Sequence, residues 1–275
     1  FQNGINLLMK KKLIRITTSS LSLDTLLRGQ MKFMSENNFE VIMISNKESN
    51  VHELIKREKS RHIILPMTRK ISILSDIYCL FKLIYIFIKE KPYIVHTHTP
   101  KAGLLGMLSA KICLIKKRIH TVAGLPFVTA KGLKKFILIN TEKITYWAGN
   151  YILPNSYSNY NLIIKKRFCS ESKLKVIGLG SSNGVDLKRF SKKNIDLKIL
   201  KKVKNRIKHR KNFNYILFVG RLVKDKGIIE LVEALELIKT QNIKLILVGP
   251  IENFRKEEKL SHKILNKIYI SDNII

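Results

Sequence analysis

The sequence predicts an α/β protein made of two successive units of alternating strands and helices, each with a parallel sheet, the second incomplete. Three observations carry this. From residue 13 onward, short β-branched runs alternate with helical segments at a pace that demands right-handed crossovers and a sheet covered on both faces. A segment crowded with turn residues, 178–190, then breaks the alternation and shifts the composition. Beyond it a strand–turn–helix pattern starts again near Tyr215. A chain of 275 residues with 45% apolar composition supplies material for two real cores. The expected division is 1–186 and 187–275.

In the first unit, residues 13–17 read as a strand, followed by the small polar turn Thr18-Ser19-Ser20 and a helix over 24–37 with Asp24 as N-cap. Residues 41–45 form a second strand, 51–59 a short helix, and 62–65 a third strand stopped by Pro66. A helix follows over 71–88, its apolar stripe placed at Ile73, Ile77, Leu80, Phe81, Ile84 and Ile88. Asp76 and Lys82 interrupt it, so it does not read as a lipid-spanning run. Residues 93–97 give a fourth strand after Pro92, and 101–114 a helix whose Gly103 and Gly106 allow close packing. A fifth strand, 118–122, ends in the glycine–proline loop AGLPF. The helix 133–148 carries the one tryptophan, Trp147, which reads as core. Residues 151–153 lead into Pro154-Asn155-Ser156 and a helix to about residue 168, and 175–177 read as a further short strand. The second unit has helix 196–211, strand 215–219, a helix with Ile228, Leu231, Val232, Leu235 and Ile238 on one face, strand 244–248, and helix 254–266.

With 52 Lys and Arg against 20 Asp and Glu, the net charge is +32, which points to anionic partners. The lysines are scattered, and Ile, Asn and Lys are enriched together, so a merely basic surface competes with attraction to anionic lipid or a phosphorylated substrate. No basic stripe with interleaved aromatics points to nucleic acid. Cys79, Cys113 and Cys169 read as reduced structural cysteines, and the HTH pair His96 and His98 lacks a third ligand for a metal. The N-terminus lacks a signal-peptide core, and Met9 reads as a start.

Two places have the composition of ligand sites. In residues 218–227, FVGRLVKDKG, a strand ends in Gly220-Arg221 and a helix opens after Lys226-Gly227. Glycines let backbone approach a ligand, a helix start offers N–H groups, and two cations add full charge, all of which suits a phosphate. An ordinary strand-to-helix turn with solvated Arg221 and Lys226 fits the spacing equally well. In the first unit, His96, His98, Thr99 and Lys101 fall at a C-terminal strand end, where open parallel sheets gather ligands.

Four separated segments resemble glycosyltransferase family 4, especially its bacterial capsule and exopolysaccharide enzymes. They are the GRLVxxKG context at 220–227, KVIGxGSSNGVDxxRF at 175–190, VHTHTPKAGLLG at 95–106 and HTVAGLPF at 120–127. The resemblance implies a GT-B fold of two Rossmann-like domains, an acceptor-side domain over 1–186 and a partial nucleotide-sugar domain over 187–275. It implies that Gly220, Arg221, Lys226 and Gly227 bind the donor diphosphate, with Arg221 and Lys226 acting in catalysis. Acceptor-side candidates are Ser19, His98, Lys101, His120 and Gly124. The implied reaction is retaining transfer of a sugar from a nucleotide diphosphate to a lipid-linked or growing saccharide, without cofactor or metal. The implied place is the cytoplasmic side of the cell membrane, peripherally held.

Two departures stand beside this. Ala123 occupies a loop position where many family members have histidine. The family's glutamate pair is expected beyond Ile275, so the chain reads as C-terminally truncated, and a non-catalytic fragment binding at most a nucleotide sugar or a membrane is the alternative. A sugar-nucleotide epimerase would share the fold but lack the SSNGVD and THTPKAG combination.

Overall fold

The computed structural model describes residues 10–48, 51–238, 242–251 and 259–275. Met9 and the first part of the helix expected over 254–266 lie outside the described residues. The chain divides into two compact units, Phe1–Val185 and Asp186–Ile275.

The first unit contains a six-stranded parallel sheet in the order β3-β2-β1-β4-β5-β6. Its strands are β1 (Lys11–Ser19), β2 (Phe39–Asn46), β3 (Arg61–Ile64), β4 (Ile94–Thr97), β5 (Lys117–Val122) and β6 (Tyr151–Pro154). The order reverses between β1 and β4, which makes their C-terminal ends a topological switch point. Alternation along β1 sends side chains to two different cores. Leu13 meets Leu23 of α1 (Ser20–Leu26), Leu27 just beyond it, Met31 of α2 (Gln30–Glu36) and Leu54 of α3 (Val51–Glu58). Ile14 and Ile16, with Ile42 and Ile44, pack beneath α4 (Ile73–Glu90) and α5 (Pro100–Ile112). These four isoleucines are 0% exposed, and each such burial contributes about 1.5–3 kcal/mol. A third cluster joins Val122 and Ile152 to Tyr146 of α6 (Gly132–Ala148) and Ile163 of α7 (Tyr157–Lys165).

Five expectations change here. The helix expected over 24–37 is two helices, the first ending at Leu26 and the second opening from Gly29, whose left-handed φ 78°, ψ −13° separates them. Asp24 does not cap it; its carboxylate pairs with Arg57 at 2.6 Å, while Glu48 accepts from the Leu21 N–H at 2.7 Å. The helix α4 is apolar nearly all round, and it buries Cys79, Leu83, Ile86 and Phe87. The expected stripe largely faces outward, with Ile73, Ile77, Phe81 and Ile88 exposed. Trp147 is exposed as well, its ring 4.1 Å from the Lys111 ammonium. No strand forms at 175–177; Leu174 makes one isolated bridge to Ile152.

The second unit pairs β7 (Asn214–Val219) with β8 (Ile243–Val248) in parallel. The last residues add to β8, with Leu245 and Leu247 N–H groups donating to Asn273 and Ile275 carbonyls at 2.8 and 2.9 Å. Ile228 and Val232 of α9 (Ile228–Leu237) pack with Leu260 and with Ile264 of α10 (His262–Ile270). Before them, α8 (Leu197–Arg206) is capped by Asp196, which accepts from the Lys198 N–H at 2.7 Å.

Candidate functional site

In the second unit, the segment leaving β7 alternates between anchored and presented residues. The Gly220 N–H donates to Val248 O and the Leu222 N–H to Pro250 O, both at 2.9 Å. Leu222 and Val223 are buried, Arg221 is half-buried and Lys226 is exposed. A 3-10 turn over Lys224–Lys226 closes on Gly227, whose φ of 74° starts α9 directly. The first N–H groups of a helix have no partner within it, so the start of α9 presents donors and a positive dipole end beside these two basic residues. A second glycine shapes the same place. Gly249, at φ 152°, lies so close that a Cβ there would come within 1.7 Å of the Gly220 carbonyl oxygen. The ends of β7 and β8 therefore touch backbone to backbone, and the turn carrying Arg221 and Lys226 is fixed from beneath.

In the first unit, the switch point brings Ser19 and His98 to one end of the sheet. Thr18 and Thr99 hold β1 to β4 there through their hydroxyls at 2.7 Å and the Thr18 N–H to Thr99 Oγ1 at 3.0 Å. Ser19 Oγ donates to Glu48 at 3.3 Å. His98 Nε2 lies 2.9 Å from Arg15 Nη1. A guanidinium has no acceptor, so Nε2 accepts and the His98 proton sits on Nδ1. Burial, and then the Arg15 charge, press the His98 pKa well below the ordinary histidine range, in keeping with a neutral ring. The ring of His96 stacks against it at 4.0 Å and bonds Thr121 at 2.8 Å.

His120 lies away from this group, on the α5 and α6 side of the sheet. Its Nδ1 meets Thr97 Oγ1 at 2.8 Å, and its ring fills the space that a Cβ on Gly103 would occupy, 2.5 Å away. Burial holds its pKa at about 4. Lys101 turns toward α4, pairing with Asp76 at 2.6 Å. Gly124 is exposed in the loop after β5, with open space where a side chain would project.

Several polar residues that sequence reasoning passed over converge on the same switch point. Arg15 Nη1 donates to Gln30 Oε1 at 3.1 Å, and Gln30 Nε2 donates to Ser182 O at 2.9 Å and to Asn183 Oδ1 at 3.0 Å. Asn183 also donates to Thr25 O at 3.1 Å. The turn-rich segment read as a linker thus begins by folding back on the first unit. Gly180 makes this approach possible at φ 98°, since a Cβ there would sit 2.5 Å from the Asn155 carbonyl oxygen. One signal was available: Arg15 is the lone charge inside the run LIRIT. Among the described residues, no group of three His, Cys, Asp or Glu side chains is placed to hold a metal.

Comparison with known proteins gives the family and the fold type. A model described as "Glycosyl transferase 4-like" matches residues 19–156, and one described as "Glycosyl transferases group 1" matches 199–271. The capsular polysaccharide biosynthesis glycosyltransferase CapM of Staphylococcus aureus is 38% identical over 245 residues, covering 88% of this chain and 62% of its own length. An Escherichia coli UDP-Gal:alpha-D-GlcNAc-diphosphoundecaprenol alpha-1,3-galactosyltransferase is 26% identical over 251 residues, covering 86% and 61%. The chain thus spans about three fifths of the length of these relatives. Among solved structures, a glycosyltransferase of Rickettsia africae aligns with a TM-score of 0.72 at 20% identity, over 97% of this chain and 67% of that one. Anabaena HepE in complex with UDP and glucose aligns with a TM-score of 0.69 at 12% identity, over 96% and 68%. The chain belongs to glycosyltransferase family 4, and its α/β fold is of the GT-B type.

Proposed function

We propose that this member of glycosyltransferase family 4 carries the acceptor-side unit and the diphosphate-binding turn of a retaining glycosyltransferase of surface polysaccharide synthesis. Its donor is a nucleotide-diphosphate sugar, and its acceptor a lipid-linked or growing saccharide. The observation that carries the reading is the turn from Gly220 to Gly227. A strand end, a left-handed glycine at a helix start and two basic side chains lie on one short segment fixed by the Gly249 backbone.

As the bond between the sugar and the diphosphate breaks, negative charge builds on the leaving oxygen, and positioned cations and N–H groups stabilise it without reorganising. Arg221 and Lys226 take that role, which needs no further cofactor. The acceptor hydroxyl bonds to the anomeric carbon from the face the diphosphate leaves, and its proton passes to the departing phosphate. Retention of configuration and this front-face course come from the family resemblance. The titles of two relatives support the substrate classes: HepE was solved with UDP and glucose, and the Escherichia coli enzyme acts on a diphosphoundecaprenol-linked sugar. The outward face of α4 supports docking on an anionic membrane, with Leu74, Phe81 and Tyr85 exposed on the helix that also carries Lys82 and Lys89. No described helix is long and apolar enough to cross a membrane.

Titration with UDP and GDP tests the turn. Loss of one charge-assisted contact removes about 1.5–3 kcal/mol, so Arg221→Ala and Lys226→Ala should each weaken binding by roughly 10–100-fold. Unchanged affinity in both variants would remove them from the phosphate site. Because the chain spans about three fifths of its relatives, a second reading is a binding unit without transfer activity. UDP binding without donor turnover or hydrolysis would select it.

A further inference from the structure

The first unit holds a cation that nothing in the donor reading uses. Arg15 is 7% exposed, its Nε has no hydrogen-bond partner, and no carboxylate among the described residues pairs with it. Neighbouring acids are occupied: Glu58 accepts from the Gly29 and Lys32 N–H groups at 2.9 and 3.2 Å, and Glu48 caps the start of α1. Burial brings the Arg15 pKa down only to about 10, so it is charged at neutral pH. A buried guanidinium without a counter-charge is strongly unfavourable, and replacing it by an apolar side chain is often neutral or stabilising.

The surroundings point to what completes it. Gln30 and His98 both accept from Nη1, which fixes the plane of the guanidinium. Beside it opens a groove of about 360 Å³, lined by Arg15, Arg28, Gly29, Gln30, Phe33 and Met34. Arg28 is exposed at its rim, and Phe33, 63% exposed, offers an apolar wall. Two arginines with forked donors match a phosphate oxyanion, and an apolar wall beside them matches a hydrocarbon attached to it.

We propose that Arg15, oriented by Gln30 and His98 and assisted by Arg28, binds a phosphate oxyanion of the acceptor: the diphosphate of a lipid-linked saccharide whose chain runs along Phe33 and Met34. This rests on the acceptor reading of the first unit. It does not rest on Arg221 or Lys226.

The test is calorimetric titration of inorganic pyrophosphate and of farnesyl diphosphate into the chain carrying Arg221→Ala and Lys226→Ala, which removes the other diphosphate contacts. Both ligands should bind, and farnesyl diphosphate more tightly. Adding Arg15→Met should weaken both at least 10-fold without lowering the melting temperature, Arg15→Lys should fall between, and Arg28→Ala should cost about 3-fold. If Arg15→Met fails to fold, Arg15→Lys and Arg28→Ala decide the matter. The site is overturned if neither ligand binds at millimolar concentration, or if these variants bind as the parent does. Pyrophosphate bound with no gain from the prenyl group would assign the site to a soluble phosphate and overturn its link to the acceptor. Failure of the donor reading would appear instead in the UDP titration and leave this one unchanged.

Discussion

Replacing Glu142 by glutamine should stabilise the first unit at alkaline pH and cost it about 1 kcal/mol in acid. Glu142 lies on α6, is 4% exposed, and has no cationic partner among the described residues. Burial raises its pKa to about 7. An unfolded glutamate titrates near 4.3, and each unit of difference corresponds to about 1.36 kcal/mol. The unfolded chain loses this proton first as pH rises, so the native state is penalised progressively between about pH 4.3 and 7, by some 3–4 kcal/mol in all. A buried glutamine returns roughly 1 kcal/mol of that for its own unpaired amide. The net gain at pH 8 is then about 2–3 kcal/mol, or on the order of 5–10 °C in a unit of this size. His96, His98 and His120 have lowered pKa values and act in the opposite sense, losing stability as pH falls below the unfolded value near 6.5. The difference between variant and parent, not the parent's own profile, therefore isolates Glu142. Trp147 is the one tryptophan in the chain and lies on the same helix, so its fluorescence in urea melts at pH 4.5, 6 and 8 reports the relevant unfolding. A variant-minus-parent difference that is flat with pH, or that grows toward acid, would refute the argument.

Two further outcomes follow from features at the surface and in the second unit. Phe81→Glu together with Lys82→Glu and Lys89→Glu should lower partitioning onto phosphatidylglycerol vesicles by more than 10-fold, since each surface lysine contributes about 1 kcal/mol at an anionic membrane and the apolar face adds to it; equal partitioning of parent and variant sinks the docking. Gly249→Ala should destabilise the second unit by roughly 3 kcal/mol or more, from a backbone conformation open essentially to glycine and from overlap with Gly220. Hydrogen exchange at β8 amides measures this, and unchanged protection there would contradict it.

Apart from the strand expected at 175–177, the strands and their parallel arrangement were legible because most are short apolar runs bounded by a turn residue, as at Pro66 and Pro92, while their order in the sheet was not. Helix orientation was less so. The helix α4 offers apolar residues on every side, so periodicity alone could not say that Leu83 and Phe87 face the sheet while Phe81 and Ile88 face out. Gly29 falls inside an otherwise helical run, and only its left-handed backbone reveals the break. The turn at 220–227 could be read because its parts are contiguous. The group of Arg15, Gln30, His98 and Asn183 could not, since residues so distant meet only through the reversal of strand order and the return of the turn-rich segment.

The contact between Gly220 and Gly249 constrains variation from one side only. Position 249 cannot acquire a side chain while Gly220 keeps its present backbone, whereas a Cβ at 220 would meet only the tip of the Phe218 ring at 3.3 Å. Anyone redesigning the basic turn for a different anion would therefore alter side chains at 221 and 226 and hold the glycine at 249 fixed.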